Sequence, residues 1–336
     1  MDRNARRMEI FQHRSSTVFD RDHVYIEAAL RGRTARKVRN QLRRLEPVAL
    51  LTPRWTSPQA FLEDIALDLA VGEPSMGCRT ISFRPMMGRS TPEAWNFILR
   101  VLSELGGREL AGIPMALNRR GFHIAAASLL DNAHEAALAT NAPGTALLAH
   151  GAHNLPVEVI SDLTEVWAAY ADRMRADRRL VVLLAGAVAT PVLDVGNAAR
   201  IDLADFAEAE AAATFLRHVG GMPFPVLQRV SRFTGGVPAL VDALCAGAAE
   251  LGHIPLQTGE LFRLMGPLAD DVRAAVSTAM HSPAHAERIL ELANGEARVE
   301  NAELDDQLLM AGLIRRSRVT GLPHVELRAP ALAAVF

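Results

Sequence analysis

The stretch Pro47-Val48-Ala49-Leu50-Leu51-Thr52-Pro53-Arg54-Trp55-Thr56-Ser57-Pro58-Gln59 decides the fold of this 336-residue chain. Its first five residues are a short apolar run of the kind that a strand buried on both faces requires. Ser57 followed by Pro58 offers a helix N-cap with proline at the first helical position, and Phe61, Leu62, Ile65 and Leu69 continue at helical spacing. Strand, short loop and helix then recur. Residues 79–83 read as a second strand, and Ser90-Thr91-Pro92-Glu93 is a capping box that opens a helix running to Leu105. Residues 122–138 are helical in pattern, residues 145–149 form a third strand, and residues 157–175 a long helix. Residues 180–185 give a fourth strand and residues 200–203 a short fifth. This alternation predicts a parallel sheet of about five strands, covered by helices on both faces, with ligands expected at the carboxyl ends of the strands.

Beyond residue 203 the strands stop. Residues 204–252 read as three helices, broken at Gly220-Gly221-Met222-Pro223 and at Gly235-Gly236-Val237-Pro238. From about Gly259 three further helices lead to two short strands, residues 313–319 and 324–328, joined by Thr320-Gly321-Leu322-Pro323. Helices followed by such a hairpin have the order of a winged helix. Upstream of the quoted stretch, residues 24–45 read as one helix or two, preceded by a polar arm.

The order of α/β core, small helical layer and winged helix resembles AAA+ ATPases of the STAND, archaeal-ATPase and origin-recognition kind, over roughly residues 20–336. Thr52 to Gln59 lie where that family places its Walker A loop, G-x-x-x-x-G-K-[ST]. Thr145 to His150, followed by Gly151, lie where the Walker B strand ends in two acidic residues, and Leu180 to Gly186 look like the strand of the sensor 1 polar residue. Phe233-Thr234-Gly235-Gly236-Val237-Pro238-Ala239-Leu240 is similar to the lid signature, and Gly312-Leu313-Ile314-Arg315-Arg316 to the end of the winged-helix recognition segment. The resemblance implies an α/β P-loop NTPase-like core with a helical lid and a C-terminal winged helix. In these terms residues 1–45 form an N-terminal basic helical segment, 46–203 the α/β domain, 204–255 the lid and 256–336 the winged-helix domain.

The departures from that pattern carry the functional expectation. A P-loop works because its glycines let backbone N–H groups curl around phosphate, its lysine reaches the β and γ phosphates, and its hydroxyl holds Mg²⁺. Thr52 and Ser57 stand at the two glycines, Pro58 at the lysine and Gln59 at the Ser/Thr. His150 and Gly151 replace the acidic pair, and Ala187 and Val188 follow the sensor strand. Proline at the lysine position also removes a helix N-terminal amide. The expectation is a non-catalytic pseudo-ATPase without a cofactor, acting as an adaptor or scaffold subunit in a multi-protein assembly. By analogy with degenerate members of the family, bacterial defence or mobile-element systems are fitting settings. The alternatives are a nucleic-acid-binding protein and an ATP-binding protein with an unusual P-loop.

Charge points to the partner surfaces. The net charge is −2 and the pI about 6.6, so no whole-molecule basic field attracts nucleic acid or lipid. Arg31, Arg33, Arg36, Lys37, Arg39, Arg43 and Arg44 nevertheless follow one another with no acidic residue between them. Lys37 is the only lysine of the chain. This segment is read either as a solvated face or as a surface for a partner, with a protein preferred by a narrow margin over nucleic acid. Arg315, Arg316 and Arg318 on the expected wing make a weaker second patch. Cys78 and Cys245 lie far apart in no metal or disulfide spacing, which fits a reducing cytoplasm. No secretory leader and no membrane span are expected. His123, His134, His150 and His153 match no metal-ligand spacing, and Trp55, Trp95 and Trp167 are read as core or interface anchors.

Overall fold

The computed structural model describes residues 30–106, 115–140, 143–187, 198–206, 208–219, 224–255, 257–294, 298–319 and 322–335. They fall into two compact units. The first holds residues 34–52 and 58–202; the second holds residues 53–57, the chain from residue 203 onward, and the start of the first helix up to Arg33. The lid and the winged helix thus lie in one unit, sharing one hydrophobic cluster. No helix among the described residues is long and apolar enough to cross a membrane.

The first unit is built on a parallel sheet of β1 (Val48–Leu51), β2 (Gly77–Ser82), β3 (Thr145–His150), β4 (Leu180–Gly186) and β5 (Ala199–Asp202), in the spatial order β2-β3-β4-β1-β5. Central β1 and β4 are buried at every residue, which is why both read as unbroken apolar runs. Edge strands β2 and β5 are partly exposed and carry Arg79, Thr80 and Arg200. Helix α1 (Leu30–Arg43) precedes the sheet, and α2 (Pro58–Val71), α3 (Thr91–Leu105), α4 (Arg119–Ala139) and α5 (Val157–Arg173) connect its strands. The expected capping box forms at α3, where the N–H and the hydroxyl of Ser90 both donate to Glu93 Oε2, at 3.0 and 2.7 Å. Asn118 caps α4, its Oδ1 accepting from Gly121 N–H at 2.8 Å.

From β1 the chain crosses to the far edge at β2, then steps back neighbour by neighbour to β4, and finally passes over β1 to β5. The connections leaving β1 and β4 therefore diverge, and such a switch point opens a crevice at the carboxyl ends of those strands.

In the second unit, α6 (Glu208–Val219), α7 (Phe224–Thr234) and α8 (Pro238–Leu251) form the expected three-helix layer. Residues 220–223, the first expected break, lie outside the described residues. The second break is realised, with Gly235 and Gly236 at φ 59° and 74°. Among the described residues four helices follow rather than three: α9 (Thr258–Leu264), α10 (Pro267–Met280), α11 (Pro283–Ala293) and α12 (Ala302–Met310). The hairpin β7 (Ile314–Val319) and β8 (Leu322–Leu327) gains a third strand, β6 (Arg298–Val299), and α13 (Pro330–Ala333) ends the chain. Strand β6 escaped the sequence reading because it is two exposed residues long, with no apolar run to signal it. A buried pair holds this region: Arg288 Nε and Nη2 donate to the two oxygens of Asp305 at 2.9 Å each, and Nη2 also reaches Val299 O at 2.7 Å. The charged hydrogen bond to Asp305 pushes the Arg288 pKa up.

Candidate functional site

The carboxyl ends of β1, β3 and β4 bring together several of the candidates in the first unit. Thr52 is bonded into the sheet, its N–H and its Oγ1 both donating to Gly186 O, at 2.8 and 2.9 Å. His150 ends β3 in register with Ser82 and Ala185. Gly151 then turns the chain at φ 76°, where a side chain would also press on the Asn154 amide. His153 Nδ1 accepts from Ala187 N–H at 3.3 Å; Val188 lies outside the described residues. Gln59 donates to Glu63 Oε1 one turn along its own helix, at 3.1 Å. The strand ends thus carry two imidazoles and the Glu63 carboxylate. A P-loop site instead holds phosphate with a lysine ammonium, and Mg²⁺ with acidic side chains.

Burial depresses the pKa of both imidazoles; at His150 the Glu63 charge opposes this and His153 adds to it. Both are neutral at pH 7. Below their ordinary value of 6.5 the unfolded chain takes up protons that the folded chain refuses. Their contribution is therefore complete above pH 6.5 and is lost as the pH falls toward the depressed folded values. Between about pH 7.5 and about pH 5.5 the His150→Gln/His153→Asn variant is expected to lose less melting temperature than wild type, followed by circular dichroism. Equal losses would show that these imidazoles do not couple folding to pH.

The loop that follows β1 belongs to the second unit, and its polarity is the notable feature. Four consecutive carbonyl groups are taken up by hydrogen-bond donors. Pro53 O accepts from Thr56 Oγ1 at 2.7 Å, Arg54 O from Arg328 Nη1, Trp55 O from Ala239 N–H at 3.1 Å, and Thr56 O from Arg31 Nη2. Ala239 lies in the first turn of α8, so one acceptor meets the positive end of a helix. Arg328 is 1% exposed and forms a two-point pair with Asp205 at 2.6 and 2.9 Å. Arg31 also donates to Ala204 O at 3.1 Å and lies over the Phe206 ring. On the side-chain side, Trp55 Nε1 and Arg54 Nη2 donate to Asp271, at 2.8 and 2.5 Å. Trp55 and Ser57 both adopt left-handed backbone, φ 65° and 50°. Ser57 is accordingly not the extended N-cap that its sequence suggested, although Pro58 does open α2.

The basic segment divides in the folded chain. Arg31 is engaged by the loop, and Arg39 pairs with Asp68. Arg33, Arg36, Lys37, Arg43 and Arg44 are exposed and have no ion pair among the described residues. On the winged helix, Arg315 Nε donates to Glu326 at 2.6 Å and Nη1 to Gly235 O at 3.1 Å, while Arg316 pairs with Glu300 at 2.7 Å and with Asp306 at 3.4 Å. The side chain of Arg318 lies outside the described residues. Helix α12 itself carries Glu303, Asp305 and Asp306. This surface is poorly suited to phosphate, because its described arginines are already neutralised by neighbouring carboxylates.

His123 approaches Asp162 and Glu165 closely enough to suggest a metal site, the one such group among the described residues. Arg119 already fills it, with Nε on Asp162 at 2.5 Å and Nη2 on Glu165 at 2.7 and 2.8 Å. Asp162, 1% exposed, also accepts from Trp95 Nε1 at 3.0 Å, so the group reads as a clamp joining α3, α4 and α5. His134 is likewise structural, its Nδ1 lying 2.9 Å from the hydroxyl of buried Tyr170. Trp95 and Trp167 are buried, as anchors should be, and Trp55 is partly so.

Sequence reading missed Arg328, Asp205 and Asp271. No local signal separated the first two from their neighbours: Glu326 lies two residues before Arg328, and Asp202 and Glu208 flank Asp205.

No protein-family model matches the chain, and no curated protein matches it. Among solved structures it is similar to the Walker-type ATPase paby2304 of Pyrococcus abyssi, with a TM-score of 0.58 at 13% identity, over 91% of this chain and 95% of that one. It is also similar to Cdc6p from Pyrobaculum aerophilum (TM-score 0.46, 14% identity, 95% and 97% covered). A third is the Aeropyrum pernix ORC1 protein in complex with DNA (TM-score 0.45, 13% identity, 92% of each). At such identity the likeness is one of fold, and the first of these supports a P-loop NTPase-like α/β core.

Proposed function

We propose that this chain is a pseudo-ATPase: a P-loop ATPase fold that neither binds nor hydrolyses ATP and serves as an adaptor or scaffold subunit in a multi-protein assembly. The observation that supports it most is the polarity of residues 53–56. A phosphate cradle turns backbone N–H groups toward the ligand. Here the same stretch is held by its carbonyl groups, against two arginines and a helix N-terminus. Re-forming a cradle would break these bonds, and each buried donor left unpaired costs about 1–3 kcal/mol, more for a charged one. The strand ends add neutral histidines where acidic Mg²⁺ ligands belong. With the nucleotide chemistry gone, the sheet, the helical layer and the winged helix remain as surfaces for other subunits.

Titration calorimetry with ATP and ADP, with and without Mg²⁺, together with a phosphate-release assay, tests the proposal. No heat of binding and no turnover are expected. A micromolar dissociation constant, or turnover abolished by Gln59→Ala or His150→Ala, would overturn it in favour of an ATP-binding protein with an unusual loop.

A further inference from the structure

We infer that the exposed face of α1 is a binding surface for the phosphate backbone of duplex nucleic acid. Among the described residues, its buried positions lie on one side: Thr34, Val38 and Leu42, at four-residue spacing. Arg33, Arg36, Lys37, Asn40 and Arg43 are exposed, and Arg44 follows directly. Their offsets of three, four, seven, ten and eleven residues form one row about 16 Å long.

Contacts among the described residues do not account for the middle of the row. No acidic residue lies in α1, and like charges at Arg33–Arg36 and Arg33–Lys37 face each other one turn apart, which weakens a helix. Arg43 and Arg44 gain from the negative end of the helix dipole, but Arg36 and Lys37 at its middle do not. Arg43 is given room to lie across the end of α2 by Gly72, where a Cβ would collide with its guanidinium.

The composition of the row selects the partner. A protein interface needs an apolar or aromatic anchor at its centre, with charge at the rim. This row has none: its centre is Lys37 and Asn40. Nor does it offer an aromatic ring on which the bases of a single strand could stack. Closely spaced guanidinium groups and an ammonium on a rigid rod match phosphates, whose binding is driven by counterion release and is nearly indifferent to sequence. The inference therefore departs from the narrow preference for a protein partner drawn from the sequence. The inference adds a partner to the adaptor reading but rests on α1 alone, so an ATP-binding result leaves it standing.

The test is fluorescence anisotropy of the full chain with a short mixed-sequence DNA duplex, at two salt concentrations. If about four phosphates are neutralised, affinity falls about 100-fold between about 50 and about 200 mM salt. The variant Arg36→Gln/Lys37→Gln/Arg43→Gln/Arg44→Gln, its fold checked by thermal melting, is expected to bind at least about 10-fold more weakly at the lower salt and with a flatter salt dependence. Arg39→Gln, which touches a paired arginine of the same helix, should leave affinity and slope in place. Absence of duplex binding at low salt, or binding equal in the four-fold variant and wild type, overturns the inference. So does loss, in that variant, of binding to phosphatidylserine vesicles or to an acidic protein from nuclease-treated lysate when the duplex does not bind.

Discussion

Arg328→Ala is expected to cost about 3–5 kcal/mol of stability, because it leaves Asp205 charged and buried without a partner. The two side chains are 1% and 10% exposed, and the pair is bidentate. The loss extends beyond the pair. Arg328 also donates to Arg54 O and reaches Gly312 O, so its removal strips donors from the loop and from the turn before β7. Arg328→Met/Asp205→Leu should recover part of the loss, since a buried ion pair can often be replaced by apolar groups of similar volume. Recovery should stay incomplete because both carbonyls remain unserved. Urea denaturation of the three proteins measures this. A loss below about 1 kcal/mol in Arg328→Ala would show that the pair is solvated and does not hold the loop.

Gly236→Ala is expected to be nearly as damaging, at about 2–5 kcal/mol, through two separable effects. The residue sits at φ 74°, a conformation that L side chains resist, and a Cβ there would drive into the carbonyl of Phe206. The backbone of that residue is held on the same site, with Phe206 N–H donating to Gly236 O at 2.8 Å. Gly252 supplies the control. It has a similar φ of 76° but open space where a Cβ would go, so Gly252→Ala carries the conformational cost alone, about 1–2 kcal/mol. The difference between the two denaturation midpoints, at unchanged slope, isolates the collision. Equal midpoints would show that the Phe206 segment gives way.

These two residues mark where the sequence was legible and where it was not. The paired glycines before Val237-Pro238 were readable as a helix break, since glycine and proline punctuate the backbone whatever surrounds them. That Gly236 must also admit the Phe206 carbonyl is a tertiary fact with no local signature. Strand β4 was readable from Leu180 to Ala185 because burial on both faces demands apolar residues throughout, whereas β6 has only Arg298 and Val299 to declare it. Residue types at 47–59 identified a strand, a loop and a helix start, with neither lysine nor glycine among them. They could not tell which way the carbonyl groups point, because that depends on Arg31, Arg328 and Ala239, far away in the chain. The basic segment was conspicuous as composition. Its division into engaged Arg31 and Arg39 and an exposed row follows from the helical phase set by Val38 and Leu42, together with the positions of Thr56 and Asp68.

Lys37 stands exposed in the middle of α1 and is the only lysine in 336 residues. Apart from a chain-terminal amine, reagents that acylate primary amines have this one target. The helix thus carries its own chemical reporter. Its protection from acylation, read by mass spectrometry, measures how much of the protein has α1 covered. An amine-directed cross-linker attached there joins the chain to whatever lies on that face, in a crude extract as readily as in a purified mixture.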